Sequence, residues 1–201
     1  MRKNMKQSFD SFTFNNCQTV LDSFITYTNS LDVVNKQLTN KKIRMPNFPS
    51  EISENIAKFA IYKKYKICPT WDTKNGDISI SNKYINKKFE IKAFSSKGPT
   101  SFGPLENWNY LYFVDATQYK NKIFKVYEIK LSNTNDIFKN IKVSNTQTFQ
   151  QQCIEKRRPH ICFELLHKQI KEQICENKSL KNFVNSEHVK LIFEGSFDLL
   201  K

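Results

Sequence analysis

No run of apolar residues in this chain approaches the roughly 20 that a bilayer-crossing helix needs, and the segment MRKNMKQSFDSF has no apolar signal core. A soluble, cytoplasmic protein with no membrane partner is the expectation. The five cysteines (Cys17, Cys68, Cys153, Cys162, Cys175) form no C-x-x-C pair, and the three histidines do not sit at zinc-finger spacing with them. That spacing argues against structural zinc and for reduced thiols. Glycine occurs only at positions 76, 98, 103 and 195, and only Arg2, Arg44, Arg157 and Arg158 among the 32 basic residues are arginine. Lys, Asn, Ile and Phe are all inflated, as AT-rich coding produces. Residues kept against such a drift have a geometric job.

What is present supports a folded core. The 201 residues suffice for a single domain spanning 1–201, and 13% are aromatic, 17 of them Phe. The balance of 32 basic against 19 acidic side chains leaves a net charge of +13. A polyanion is the natural partner of such a surface, and nucleic acid is the commonest polyanion in the cytoplasm.

Apolar spacing predicts helices over 18–38 and 51–65, the second capped by Ser50. Strands are expected at 78–81, 87–94, 111–116, 124–131 and 189–197. A short polar helix is expected over 144–156, with Ser144 and Gln147 at capping-box spacing, and a longer one over 164–183. The order predicts an α+β or α/β architecture: a central mixed, mostly antiparallel sheet flanked by helices.

Two hairpins carry the same pattern, an aspartate followed 13 residues later by Glu-Ile-Lys: Asp77 with Glu90 and Lys92, and Asp115 with Glu128 and Lys130. With a turn in 82–87, position 79 falls opposite 90 and 77 opposite 92. Asp77 and Glu90 are then diagonal neighbours, about 7–8 Å apart at the backbone. Asp77, Ser79, Glu90 and Lys92 share one face, presented to solvent, while Ile78, Ile80, Phe89 and Ile91 pack on the other. In the second hairpin position 128 falls opposite about 111, some 13 Å of strand from Asp115. Those carboxylates cannot share an ion, so Glu128 and Lys130 read as a solvated face.

Two carboxylates beside an ammonium suit metal-dependent phosphodiester cleavage. Mg²⁺ takes hard oxygen ligands and needs only one or two from protein when substrate phosphate supplies more. Lys92 is placed to orient or deprotonate the attacking water. The loop SSKGPTSFGP leaves the reactive strand directly, and Lys97, Thr100 and Ser101 are placed to meet phosphates. Gln147, Gln151, Arg157 and Arg158 are residue types that read base edges. Two other classes fit the charge pattern: a non-catalytic basic nucleic-acid-binding protein, and a structure-selective repair nuclease.

At these residues the chain resembles the PD-(D/E)xK nuclease superfamily, and within it the small type II restriction endonucleases. Asp77 matches the first acid, with Gly76 where the motif has proline, and Glu90-Ile91-Lys92 match its second half. Glu54 falls where many members place a further carboxylate, with Glu51 as the alternative match. PSEIS, EIKAFS, TSFGP and KRRP together look like the group cutting the interrupted palindrome GC-N-GC. The resemblance implies Asp77, Glu90 and Ile91 around Mg²⁺, and double-strand cleavage leaving 5′-phosphates. It also implies a homodimer on two-fold symmetric DNA and a cognate DNA methyltransferase in the same cell.

Overall fold

The computed structural model describes residues 12–71, 77–81, 86–176 and 188–201. Gly76, residues 82–85 of the expected 82–87 turn and the expected helix end at 177–183 lie outside them. The chain opens with two helices, α1 (Phe14–Gln37) and α2 (Ser50–Tyr65), followed by strands β1 (Thr70–Trp71), β2 (Ile78–Ser81) and β3 (Asn86–Phe94). Then come β4 (Thr100–Ser101), β5 (Tyr110–Gln118), β6 (Ile123–Ile129), α3 (Asp136–Lys139) and α4 (Phe149–Ile154). The chain continues through β7 (His160–Ile161), α5 (Phe163–Glu176) and β8 (Val189–Ser196).

Six strands form one sheet in the order β1-β2-β3-β5-β6-β8, and only the β3–β5 pair is parallel. Parallel neighbours need a crossover. Here that crossover is residues 95–109, which carry β4 out to pair with β7 in a separate two-stranded ribbon. Helices cover both faces of the sheet. On one face Cys17, Leu21, Ile52, Ile56 and Ala60 pack against Ile78, Phe89, Ile91, Tyr112 and Val114. On the other, Phe102, Trp108, Phe138, Phe149, Phe163 and Leu166 pack against Leu111, Phe113 and Ile129.

Several local expectations give way to better-bonded alternatives. α1 starts at Phe14 because Thr13 caps it, accepting from Asn16 N, while Asn16 Oδ1 accepts from Thr13 N. Ser50 does not cap α2: it is the first helical residue, and Pro49, with extended backbone, stands at the cap without a side-chain bond. The 144–156 helix shrinks to Phe149–Ile154. Its capping box is Thr148 with Gln151, and Ser144 instead closes a turn by accepting from the Gln147 amide.

The register of the β2–β3 hairpin is two residues off the expectation. Ser79 faces Lys88 and Ser81 faces Asn86, because β3 starts at Asn86 and pairs straight back to the end of β2. A two-residue shift keeps every side chain on its face. Continued by one step, it sets Asp77 across from Glu90 rather than from Lys92. The second hairpin is off by one: Tyr112, not Leu111, faces Glu128, and a bulge lies between Asp115 and Gln118. A one-residue change swaps faces. Glu128 therefore points under α2, 2% exposed, and is not part of a solvated face. β6 is an interior strand, and Glu128 shares the buried face of Phe124 and Val126, while Lys125 on the other face stays partly exposed.

Candidate active site

Asp77 immediately precedes β2, and its Oδ2 accepts a hydrogen bond from the Ile91 amide of β3 at 2.6 Å. That bond carries the hairpin one step past its last ladder pair and fixes the carboxylate beside Glu90. Glu90 is 4% exposed, so the carboxylate face is not presented to solvent as the alternation suggested. β3 lies between β2 and β5, and the crossover folds Phe102 over this face. Lys92, two residues on, places Nζ against Glu90 Oε1 and 5.3 Å from the centre of the Phe102 ring.

A third carboxylate, Glu54, lies near enough to Asp77 for their charges to interact. Glu54, on the inward side of α2, is 8% exposed and accepts from Trp71 Nε1 at 2.5 Å. Glu51 lies one turn earlier and is exposed. Burial pushes Glu54 up to about 7, against the Trp71 bond, with the charges of Asp77 and Glu51 adding to the rise. Burial pushes Glu90 up to about 8, outweighing Lys92, and Asp77 adds to it. Asp77 is likewise raised, by burial first, against the Ile91 amide and Lys92. Such an arrangement holds more negative charge than its one ammonium can offset.

The donor set fits a hard divalent cation. Glu90 Oε1 is buried against the Lys92 ammonium, and the other charged groups acting on Glu90 are the carboxylates of Asp77 and Glu106. Among the described residues no three His, Cys, Asp or Glu side chains form a closed metal cage. Two carboxylates with a phosphate completing the shell remain.

The second Asp/Glu-Ile-Lys pattern is a different object. Asp115 faces Lys125, three residues of strand from Glu128, or about 10 Å. Glu128 accepts from the Tyr65 and Tyr112 hydroxyls at 2.7 and 2.8 Å, with Lys130 Nζ 3.6 Å away. Both of its oxygens accept from a neutral hydroxyl, whereas the partner of Glu90 is the Lys92 ammonium.

The loop and the arginine pair meet. Thr100 and Ser101 pair with Ile161 and His160. The Thr100 hydroxyl donates to the Ile161 carbonyl at 3.1 Å, Arg158 Nε donates to Ser101 Oγ at 3.1 Å, and Phe102 N donates to the Pro159 carbonyl at 2.9 Å. Thr100 and Ser101 are thus engaged in the ribbon rather than free in a polar loop, while Lys97 is exposed at its tip. Gln147 precedes α4 and donates to both Glu155 carboxylate oxygens, and Arg157 donates to Gln147 Oε1 and lies 3.6 Å from Glu155. Gln151 holds the α4 cap through the Thr148 amide. The two glutamines do not share one helical face.

Glu106 escapes sequence reasoning. Its Oε2 accepts from the Gly103 amide at 2.9 Å, and its charge reaches both Asp77 and Glu90. A Cβ on Gly103 would overlap that carboxylate, whereas Gly98 has room for one. The second Gly-Pro pair therefore has a close-approach reason and the first has none in the contacts. The only signal in the sequence is a glycine followed three residues later by an acid.

A mixed six-stranded sheet between helix layers, with acidic residues gathered at the β2–β3 pair, defines a restriction-endonuclease-like fold. The chain matches the Bsp6I restriction endonuclease family over residues 9–172 and belongs to that family. It is a type II restriction endonuclease, a hydrolase whose substrate is DNA. Searches among curated proteins and among solved structures gave no significant match.

Proposed function

We propose that the chain is a Mg²⁺-dependent, site-specific endonuclease of the PD-(D/E)xK type, with Asp77, Glu90 and Lys92 as its reactive residues. The observation carrying this reading is Glu90: a buried carboxylate whose side-chain partner is the Lys92 ammonium, with the Asp77 carboxylate acting on it as well. Surface decoration, the reading of a non-catalytic binder, predicts a solvated trio instead. Burying an ionisable group without full pairing is costly, and such cost collects at working sites.

Asp77 and Glu90 would hold the cation, with the Ile91 carbonyl beside them. An N–H and C=O of one strand residue point the same way, and the Ile91 N–H points at Asp77. A bound Mg²⁺ supplies positive charge against the phosphate oxygens and acidity to the attacking water. Lys92 orients that water and adds positive charge beside the phosphate as the P–O3′ bond breaks, leaving a 5′-phosphate. Glu54, rather than Glu51, is the supporting carboxylate, because it lies inside and feels Asp77 and Lys92.

Lys97, Arg157 and Arg158 are exposed and suited to phosphate and base contact, and Gln147 and Gln151 stand beside them. A two-fold DNA site calls for a homodimer, and GC-N-GC is the proposed target class, with a protecting methyltransferase in the same cell. Purified protein incubated with phage DNA and Mg²⁺ is expected to give discrete bands with mappable 5′-phosphate ends. A smear, or intact DNA at every salt tried, would overturn the reading. Cleavage confined to branched or damaged DNA would make it a structure-selective nuclease.

A further inference from the structure

Glu90 Oε1 is wanted twice. It is the atom against which Lys92 Nζ rests, and it belongs to the carboxylate offered to a cation. Once a cation takes that oxygen, Lys92 needs another restraint. The side chain is 83% covered (17% exposed), and among the described residues its other close partner is the face of Phe102, 5.3 Å from Nζ to ring centre.

Phe102 is no ordinary loop residue. It is fully buried among Trp108, Phe113, Phe138 and Phe149, in contacts of 5.5–6.4 Å between ring centres. Its amide is bonded to the Pro159 carbonyl, directly after Arg157 and Arg158, and its neighbour Ser101 accepts from Arg158. The ring is therefore locked to the aromatic core on one side and its backbone to the arginine segment on the other. An aromatic face attracts an ammonium, and the attraction grows when water is excluded, as it is here.

Resting on the assignment of Lys92 as the water-orienting residue, we propose that Phe102 is its positioning residue: the ring face holds the Lys92 ammonium in place when Glu90 turns to the cation, and ties that ammonium to the Arg158 segment. Arginine contact with DNA and lysine placement at the phosphate are then set by one short, rigid piece of chain. A displacement of the arginine segment moves the ring, and with it the restraint on Lys92.

The test is stepwise fluorination of the Phe102 ring by site-specific incorporation, which weakens the negative ring face while keeping its shape. Single-turnover cleavage of a DNA fragment carrying the mapped site, with protein in excess, is expected to fall with each added fluorine, by roughly 3- to 30-fold over the series. DNA binding in EDTA and thermal stability are expected to stay near those of the unmodified protein. The same series at Phe138, equally buried and with no lysine over it among the described residues, is expected to leave the rate unchanged. A flat series at Phe102 overturns the proposal, as does an equal fall at Phe138, since core packing would then be the cause. Phe102→Leu, which keeps apolar volume but has no ring face, is expected to match the most fluorinated protein. Lys92→Met separates the two levels: if it cleaves normally, the Lys92 assignment itself fails and this inference with it. If Lys92→Met is inactive and the Phe102 series is flat, only the inference falls.

Discussion

Glu90 and Glu128 occupy the same triplet, Glu-Ile-Lys, in the same strand conformation, and both are buried. Their partners differ: Glu128 has two tyrosine hydroxyls, Glu90 the Lys92 ammonium. Opposite consequences follow on substitution. Glu128→Ala is expected to lower stability by about 2–4 kcal/mol, because two buried hydroxyls lose their acceptor, while the protein still folded at low temperature goes on cutting. Denaturant unfolding beside a cleavage assay checks both halves. Glu90→Gln is expected to abolish cleavage and to leave DNA binding in place. It also carries a pH signature. The folded-state values of Glu54 and Glu90 are raised, to about 7 and about 8, so the folded chain binds protons more tightly than the unfolded one. Stability from this source is fully present below the ordinary glutamate range and is lost as pH rises through those values. In EDTA, the Tm of Glu90→Gln should equal that of the wild type near pH 5 and exceed it by roughly 5 °C or more at pH 8.5. A constant difference across that range would count against the raised Glu90. At this scale the sequence was legible where alternation decides: all four residues of the first trio's face lie where period two puts them. It was not legible in burial, because alternation says which face a residue takes and not what covers that face.

Among elements, the β4–β7 ribbon joins two motifs that stand about sixty residues apart, TSFGP and RRP, into one object. Either motif alone reads as a loop. The strands of two residues each are too short to leave a periodic trace, so the pairing is invisible to pattern reading. Gly103 is the ribbon's tightest point. Gly103→Ala is expected to turn the exposed Glu106 side chain off the 103 amide at little cost in stability, and to slow cleavage, since Glu106 acts on both Asp77 and Glu90. Gly98→Ala, with an open Cβ direction, is expected to be silent in both unfolding and cleavage. Equal effects at the two glycines would remove the close-approach argument. The long strands were predicted to within two residues at either end, and the two caps departed from expectation separately: Ser50 is already helical behind an extended Pro49, and Thr148, not Ser144, is the extended residue that caps α4.

For the whole molecule, the three-layer order was readable because apolar periods of 3.6 and 2 segregate cleanly along the chain. The parallel β3–β5 pair was not readable, since no local pattern distinguishes it from another antiparallel neighbour. Net charge of +13 predicts DNA binding that weakens steeply with salt, a straight line of log affinity against log salt whose slope becomes shallower in Arg157→Ala and Arg158→Ala. A slope unchanged by both substitutions would move the phosphate contacts elsewhere. Sedimentation of the DNA-bound protein is expected to give the duplex mass plus twice the 23.8 kDa chain mass.

The ribbon also bears on the order in which the molecule assembles. β2 and β3 close a turn of a few residues, whereas Thr100 must find Ile161 across 61. Loop-closure entropy favours the hairpin first. A ribbon of two pairs, closing late, is also the first to open. In native-state hydrogen exchange the Phe102 amide, bonded to Pro159, should exchange well ahead of the Ile91 amide, bonded to Asp77. A nascent chain would thus gather its acidic corner early and complete its grip on Lys92 only when residue 159 has been made and placed. For an enzyme that cuts DNA, the half-folded molecule is then the harmless one.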